Sequence, residues 1–120
     1  AFPSRYGGLA RHQHVDHARR SSAQAARALL GMQPKPYDYL PYFYHKIFEY
    51  TDDPVTFHCY GQVAGRCLVN ASDKKRVQAL FLHGGRAIGV LLLGSPGATL
   101  EDQAKMRALA EARPQVDMRP

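Results

Sequence analysis

The stretch Arg76–Leu93, RVQALFLHGGRAIGVLLL, decides the architecture. Two β-favouring runs, Arg76–His83 and Arg86–Leu93, flank the pair Gly84-Gly85. Lacking a Cβ, both glycines can take the positive φ of a two-residue turn, the turn that matches the twist of paired strands. The spacing therefore predicts an antiparallel hairpin. Its second strand is apolar at nearly every position from Ala87 to Leu93, which predicts cover on both faces, one face by the last helix.

That helix lies downstream, past the turn Gly94-Ser95-Pro96-Gly97. Thr99 is placed to cap Leu100–Ala112, the apolar positions Leu100, Ala104, Ala108 and Leu109 share a face, and Pro114 ends the run. Upstream of the hairpin, Arg66–Asn70, Val55–Tyr60, Ile47–Phe48 and Tyr42–Tyr44 read as further short strands bounded by Gly, Asp, Pro or Asn. Before them, Pro34, Pro36 and Pro41 remove backbone donors and predict an extended crossing with a fixed path. Asp16–Leu30 reads as a helix with a stripe of Val15, Ala18, Ala25, Ala26, Leu29 and Leu30, stopped at Gly31. The order gives an α+β fold, a small antiparallel β-sheet with helices on one side, preceded by an N-terminal helix. Residues 1–33 and 34–120 are expected to form two segments.

Composition narrows the function classes. With 120 residues, 45% hydrophobic and 22% charged, the chain can bury a core and is too short for a two-domain enzyme. Its longest apolar run falls far below the roughly 18 residues of a membrane-spanning helix. Sixteen Lys and Arg against ten Asp and Glu give +6, but the cations are dispersed apart from Lys74-Lys75-Arg76, so a solvated basic surface is favoured over a nucleic-acid tail. Neither GxGxxG nor GxxxxGK occurs. The His12, His14 and His17 spacing is not a closed metal set, and no metal ligand is assigned. Cys59 and Cys67 lack zinc spacing; a turn joining two strands between them could set the sulfurs face to face, but two free thiols are the more ordinary outcome, and their redox state stays open. His58 and Cys59, adjacent in a strand, point to opposite faces, so no nucleophile and base are paired and no catalytic residue is assigned. The cluster Tyr37, Tyr39, Tyr42, Phe43 and Tyr44 is either a surface that stacks on flat rings, nucleobase or flavin, or an aromatic plug. The chain opens on Ala1 without a leader pattern and reads as a processed or truncated product; its compartment, cytoplasm or an organelle such as the chloroplast, stays open.

Three runs in order, AFPSRYGG, HVDHARRSSAQAARALLG and YDYLPYFYHKIF, together with the Phe57–Gly61 strand, GRAIGVLLL and RPQVD, resemble the C-terminal part of monodehydroascorbate reductase. That family belongs to the flavoprotein reductases with two dinucleotide-binding domains. The resemblance implies a complete enzyme that passes electrons from NAD(P)H through FAD to the monodehydroascorbate radical, with FAD and NAD(P)H bound largely by domains upstream of this chain and none expected to be held by it alone. It implies Gln13 and His14 beside nicotinamide and flavin, Val15 in backbone contact with FAD, Arg19 facing the electron acceptor, and Tyr44 meeting flavin and substrate. Gln13 stands where the family has Glu, and His45-Lys46 where it has Ser-Arg. The rival readings are a non-catalytic subunit packed in a larger assembly and an RNA-binding module. A homo-oligomer is also expected if the Arg19 and Tyr44 face lies bare.

Overall fold

The computed structural model describes residues 1–33, 35–94 and 97–117; Pro34 and the Ser95-Pro96 turn of the sequence reading lie outside them. The chain divides into two compact units, Ala1–Tyr42 and Phe43–Pro120.

The first unit opens with a two-stranded antiparallel ribbon, β1 (Phe2–Pro3) and β2 (Leu9–Ala10), too short to be read from periodicity. Ser4 N–H donates to Gly8 O at 2.9 Å and Gly7 N–H to Ser4 O at 3.0 Å, closing its turn. Helix α1 follows over Val15–Leu29, one residue earlier than the sequence implied, and ends where Gly31 takes φ +72°. There Gly31 N–H reaches Ala28 O and Met32 N–H reaches Arg27 O, satisfying carbonyls that the last turn leaves open. The apolar stripe, however, does not pack within this unit. No α1 residue is buried; Val15 is 53%, Leu29 89% and Leu30 78% exposed, while Asp16, His17, Ser21 and Gln24 are the half-covered positions. Hydrogen bonds decide this orientation. Tyr39 Oη donates to Asp16 Oδ2 at 2.8 Å, His17 Nδ1 meets Tyr37 Oη at 3.0 Å, and Gln24 Nε2 donates to Lys35 O at 2.9 Å, so the extended segment grips the polar face.

The second unit carries a five-stranded sheet: β3 (Tyr42–Ile47), β4 (Val55–Gly61), β5 (Arg66–Asp73), β6 (Arg76–His83) and β7 (Arg86–Gly94), in the order β3-β4-β7-β6-β5. Tyr42–Tyr44 and Ile47–Phe48 are thus one strand ending at Ile47. The β6–β7 hairpin forms as read, with Gly84 and Gly85 at φ +57° and +77° between paired His83 and Arg86. The pairing of β4 with β7 is a long-range choice, and it sends Gln62–Gly65 across the ends of β7 and β6 to reach β5. Three strand spacings of about 4.8 Å come to roughly 14 Å, within reach of an extended four-residue link. Gln62 N–H donates to Ile88 O at 2.8 Å on the way, and Gly89 lies beneath the Gln62 backbone, with no room there for a side chain.

Helix α2, Leu100–Ala112, lies on β7 and β4 and is capped as expected. Thr99 Oγ1 accepts from Asp102 N–H at 3.1 Å while Asp102 Oδ2 takes the Thr99 hydroxyl at 2.7 Å and its N–H at 3.2 Å. Those bonds, the Thr99 hydroxyl foremost, hold the Asp102 carboxyl below its ordinary pKa, and Arg76 pairs with it as well. The face that packs is not the one read from spacing. Leu100, Ala104 and Ala108 are exposed, while Gln103, Met106, Leu109 and fully buried Ala110 turn inward. The tie from Asp102 to Arg76 on β6 sets this rotation of the first turn, and Leu109 is the one residue of the expected set that points in. On β7, Ala87, Val90 and Leu92 are sealed, whereas Leu91 and Leu93, on the face away from Val90, are half-buried.

Candidate functional site

Gln13, His14, Val15 and Arg19 gather at the N-terminal turn of α1. His14 is extended at φ −133° and caps the helix, its Nδ1 accepting from Asp16 N–H at 3.3 Å. A ring nitrogen that accepts carries no proton, so Nε2 is the N–H side of this imidazole. The ring also meets Tyr42 edge-on at 6.4 Å. Gln13, Val15 and Arg19 are exposed, and Val15 and Arg19, four residues apart, share one helix face. The helix start offers positive backbone N–H groups there, suited to anions and carbonyl oxygens.

Beneath this turn sits a ring cluster of Phe2, His12, His17, Tyr37 and Tyr39. Phe2 stacks on His17 at 5.0 Å and Tyr37 on Tyr39 at 5.7 Å. Tyr37 and Tyr39 therefore belong to an aromatic plug. Burial, then the hydrogen bond to Asp16, raises the Tyr39 pKa, so the phenol stays protonated and donates. It also accepts from Tyr42 N–H at 3.3 Å, which links Asp16 to the last residue of the unit. Asp16 takes Arg20 Nε at 3.2 Å on its other side. Burial, and second the facing His17, lower the His12 pKa and favour its neutral ring. The cluster of histidines is thus a packed feature; among the described residues no three His, Cys, Asp or Glu groups converge as a metal set.

Tyr44 lies in the second unit, on the edge strand β3. It is 49% exposed and stacks on His58 of β4 at 6.2 Å and 22°. Phe43 points to the other face, against Phe57 at 6.0 Å. His58 is buried, and burial lowers its pKa, so the ring beneath Tyr44 is an uncharged platform. His58 escaped the sequence reading as a site residue, because only the pairing of β4 beside β3 brings its ring to Tyr44. Cys59 is buried on the opposite face from His58 and its thiol is pushed up to about 11 by burial, which makes it a packing residue rather than a nucleophile. Both cysteines are free, and Cys67 is exposed.

No protein-family model matches the chain. Among individual proteins, it is 36% identical over 121 residues to the chloroplastic/mitochondrial monodehydroascorbate reductase of Arabidopsis thaliana, covering 98% of this chain and 24% of that protein. It is 33% identical over 120 residues to monodehydroascorbate reductase 5 of Oryza sativa, with the same two shares, 98% and 24%. For the monodehydroascorbate reductase of Pisum sativum the identity is 32% over 126 residues, covering 97% of this chain and 27% of that one. The chain spans about a quarter of the length of the relatives it matches. By sequence it belongs to the monodehydroascorbate reductase family, corresponding to the C-terminal part of the full-length members.

Proposed function

We propose that this chain forms the acceptor side of a flavoprotein that reduces the monodehydroascorbate radical with NAD(P)H and FAD. The observation that carries the reading is the bare N-terminal turn of α1, where Gln13, Val15 and Arg19 are exposed beside the capping ring of His14. Arg19 offers a planar, permanently charged guanidinium that matches the oxygens of an anionic enediol radical. Gln13, His14 and the α1 start fit FAD by donor chemistry: the pyrimidine edge of a flavin is rich in carbonyl acceptors, and amide and helix N–H groups answer them. When bound, the flavin supplies the exchange between a two-electron nicotinamide donor and a one-electron acceptor. Tyr44 contributes a half-exposed ring and hydroxyl for flavin and substrate, held flat by the neutral His58 beneath it. The two dinucleotide-binding domains belong, on this reading, to the remainder of the polypeptide. The bare stripe of Val15, Leu29, Leu30 and Met32 supports their docking, and equally supports a second reading, a non-catalytic subunit of a larger assembly.

One experiment separates the two. The native polypeptide is purified, its visible spectrum recorded for flavin, and the NAD(P)H-dependent loss of the ascorbyl radical signal followed by electron paramagnetic resonance. Radical loss with a flavin spectrum is expected, and Arg19→Ala should raise KM for the radical by roughly 10- to 100-fold, the worth of one charge-assisted hydrogen bond, with the flavin retained. Absence of both flavin and radical reduction overturns the enzymatic reading in favour of the structural one.

A further inference from the structure

Phe43 meets Phe57 while Tyr44 stacks on His58, so successive residues of β3 stand on opposite faces of the sheet. Carried two residues further, the alternation separates a basic pair: His45 falls on the face of Phe43, and Lys46 on the face of Tyr44. Strand geometry sets the Lys46 backbone about 6.7 Å from that of Tyr44. The flexible four-carbon stem of a lysine spans such a gap. Lys46 is half-exposed, and its one ion pair among the described residues is with Glu49, Nζ to Oε1 at 3.8 Å, where the carboxylate is half-exposed too. A solvated pair of that length contributes little and leaves the ammonium open to a second anion. Strand β3 pairs only with β4, so its outer side carries no further strand of the sheet.

Tyr44 offers a ring and a hydroxyl, groups that serve a neutral acceptor as well as an anionic one. Charge has to come from a neighbour on the same face. We propose that Lys46 is a specificity-determining residue of the acceptor site, a cation beside Tyr44 that favours an anionic acceptor over a neutral one of similar size. The inference rests on the placement of Tyr44 at the acceptor. Glu49 competes for the same ammonium and moderates the preference. One unit charge at about 7 Å across water changes an encounter about threefold, and by more where water is excluded.

The test is steady-state kinetics on the native polypeptide with NAD(P)H, using the monodehydroascorbate radical as the anionic acceptor and a benzoquinone as the neutral one. Wild type is compared with Lys46→Gln, Lys46→Arg, Glu49→Gln and His45→Gln. Lys46→Gln should lower kcat/KM for the radical by about three- to tenfold at low ionic strength, with the gap closing as salt is raised, and leave the quinone within about twofold of wild type. Lys46→Arg should restore the radical reaction. Glu49→Gln should act in the opposite sense, raising kcat/KM for the radical by about twofold, and His45→Gln, on the other face, should change neither acceptor. A Lys46→Gln loss that falls equally on radical and quinone overturns the proposal, because it marks damage to the strand rather than a missing charge. So does a Lys46→Gln protein that matches wild type on the radical, or a His45→Gln protein that loses as much. A wild type inert toward the radical removes the acceptor reading of Tyr44 itself, and the proposal falls with it.

Discussion

Adding one methyl group at Gly89 tests the topology more sharply than any core truncation. Gly89 sits in β7 opposite Phe81 and Gly61, with no positive φ, so alanine meets no conformational objection there. Space is the objection. A Cβ would run into the Gln62 carbonyl oxygen, with the carbonyl carbon at 2.8 Å and the Gln62 nitrogen at 3.2 Å, all of them backbone atoms. The backbone cannot swing away freely, because Gln62 N–H is held by Ile88 O at 2.8 Å and only three more residues complete the crossing to β5. Relief therefore requires breaking that hydrogen bond or displacing the link. Overpacking of this kind costs about 1–3 kcal/mol, and loss of the hydrogen bond adds about 1 kcal/mol. Gly89→Ala should lower the midpoint of thermal unfolding by roughly 10 °C or more for a unit of this size. Gly84→Ala, where the turn is open and only the positive φ is strained, should cost about 1–2 kcal/mol and serves as the control. A Gly89→Ala protein as stable as wild type would mean that the 62–65 crossing does not run over β7 and that β4 is not its neighbour.

Three other outcomes are expected. Tyr39→Phe removes a phenol that joins Asp16 to Tyr42 N–H, and should destabilise the first unit by about 1–2 kcal/mol, read as faster amide exchange in α1; unchanged exchange would refute the link. Iodoacetamide near pH 8 should add once, at Cys67, because roughly one part in a thousand of the buried Cys59 thiol ionises there; rapid double addition to the folded protein would contradict this. Burial holds the His58 pKa below its ordinary 6.5, so below that pH the unfolded chain binds a proton that the folded one refuses. Unfolding free energy should therefore fall as pH drops from about 6.5 toward the lowered value and level off beneath it, and His58→Gln should flatten that slope. His12 acts in the same direction.

Arg19 and Tyr44 are proposed site residues that the sequence singled out. Their identities came from ordered motifs spread over nearly the whole chain, and the exposure of both accords with a role toward a ligand. The supporting residues were not legible. His58 became relevant only when β3 lay beside β4 and put an uncharged ring under Tyr44. Tyr39 read as one of five aromatics, and only packing made it the hydroxyl between Asp16 and Tyr42.

The same division runs through the fold. What the sequence alone determined was local: the Gly84-Gly85 hairpin, the Thr99 cap, the Gly31 stop and the identity of the long strands. Each rests on backbone geometry or on hydrogen bonds within a few residues, so the chain's own chemistry settles it. Tertiary structure decided the rest. It placed β4 beside β7, turned Gln103, Met106 and Ala110 inward on α2, and bound α1 within its unit by Asp16, His17 and Gln24 while its apolar stripe stayed bare. The reason is that a helix face or strand partner is chosen by competition between distant groups. Periodicity records which residues are apolar, but not which tyrosine, arginine or carbonyl arrives to meet them.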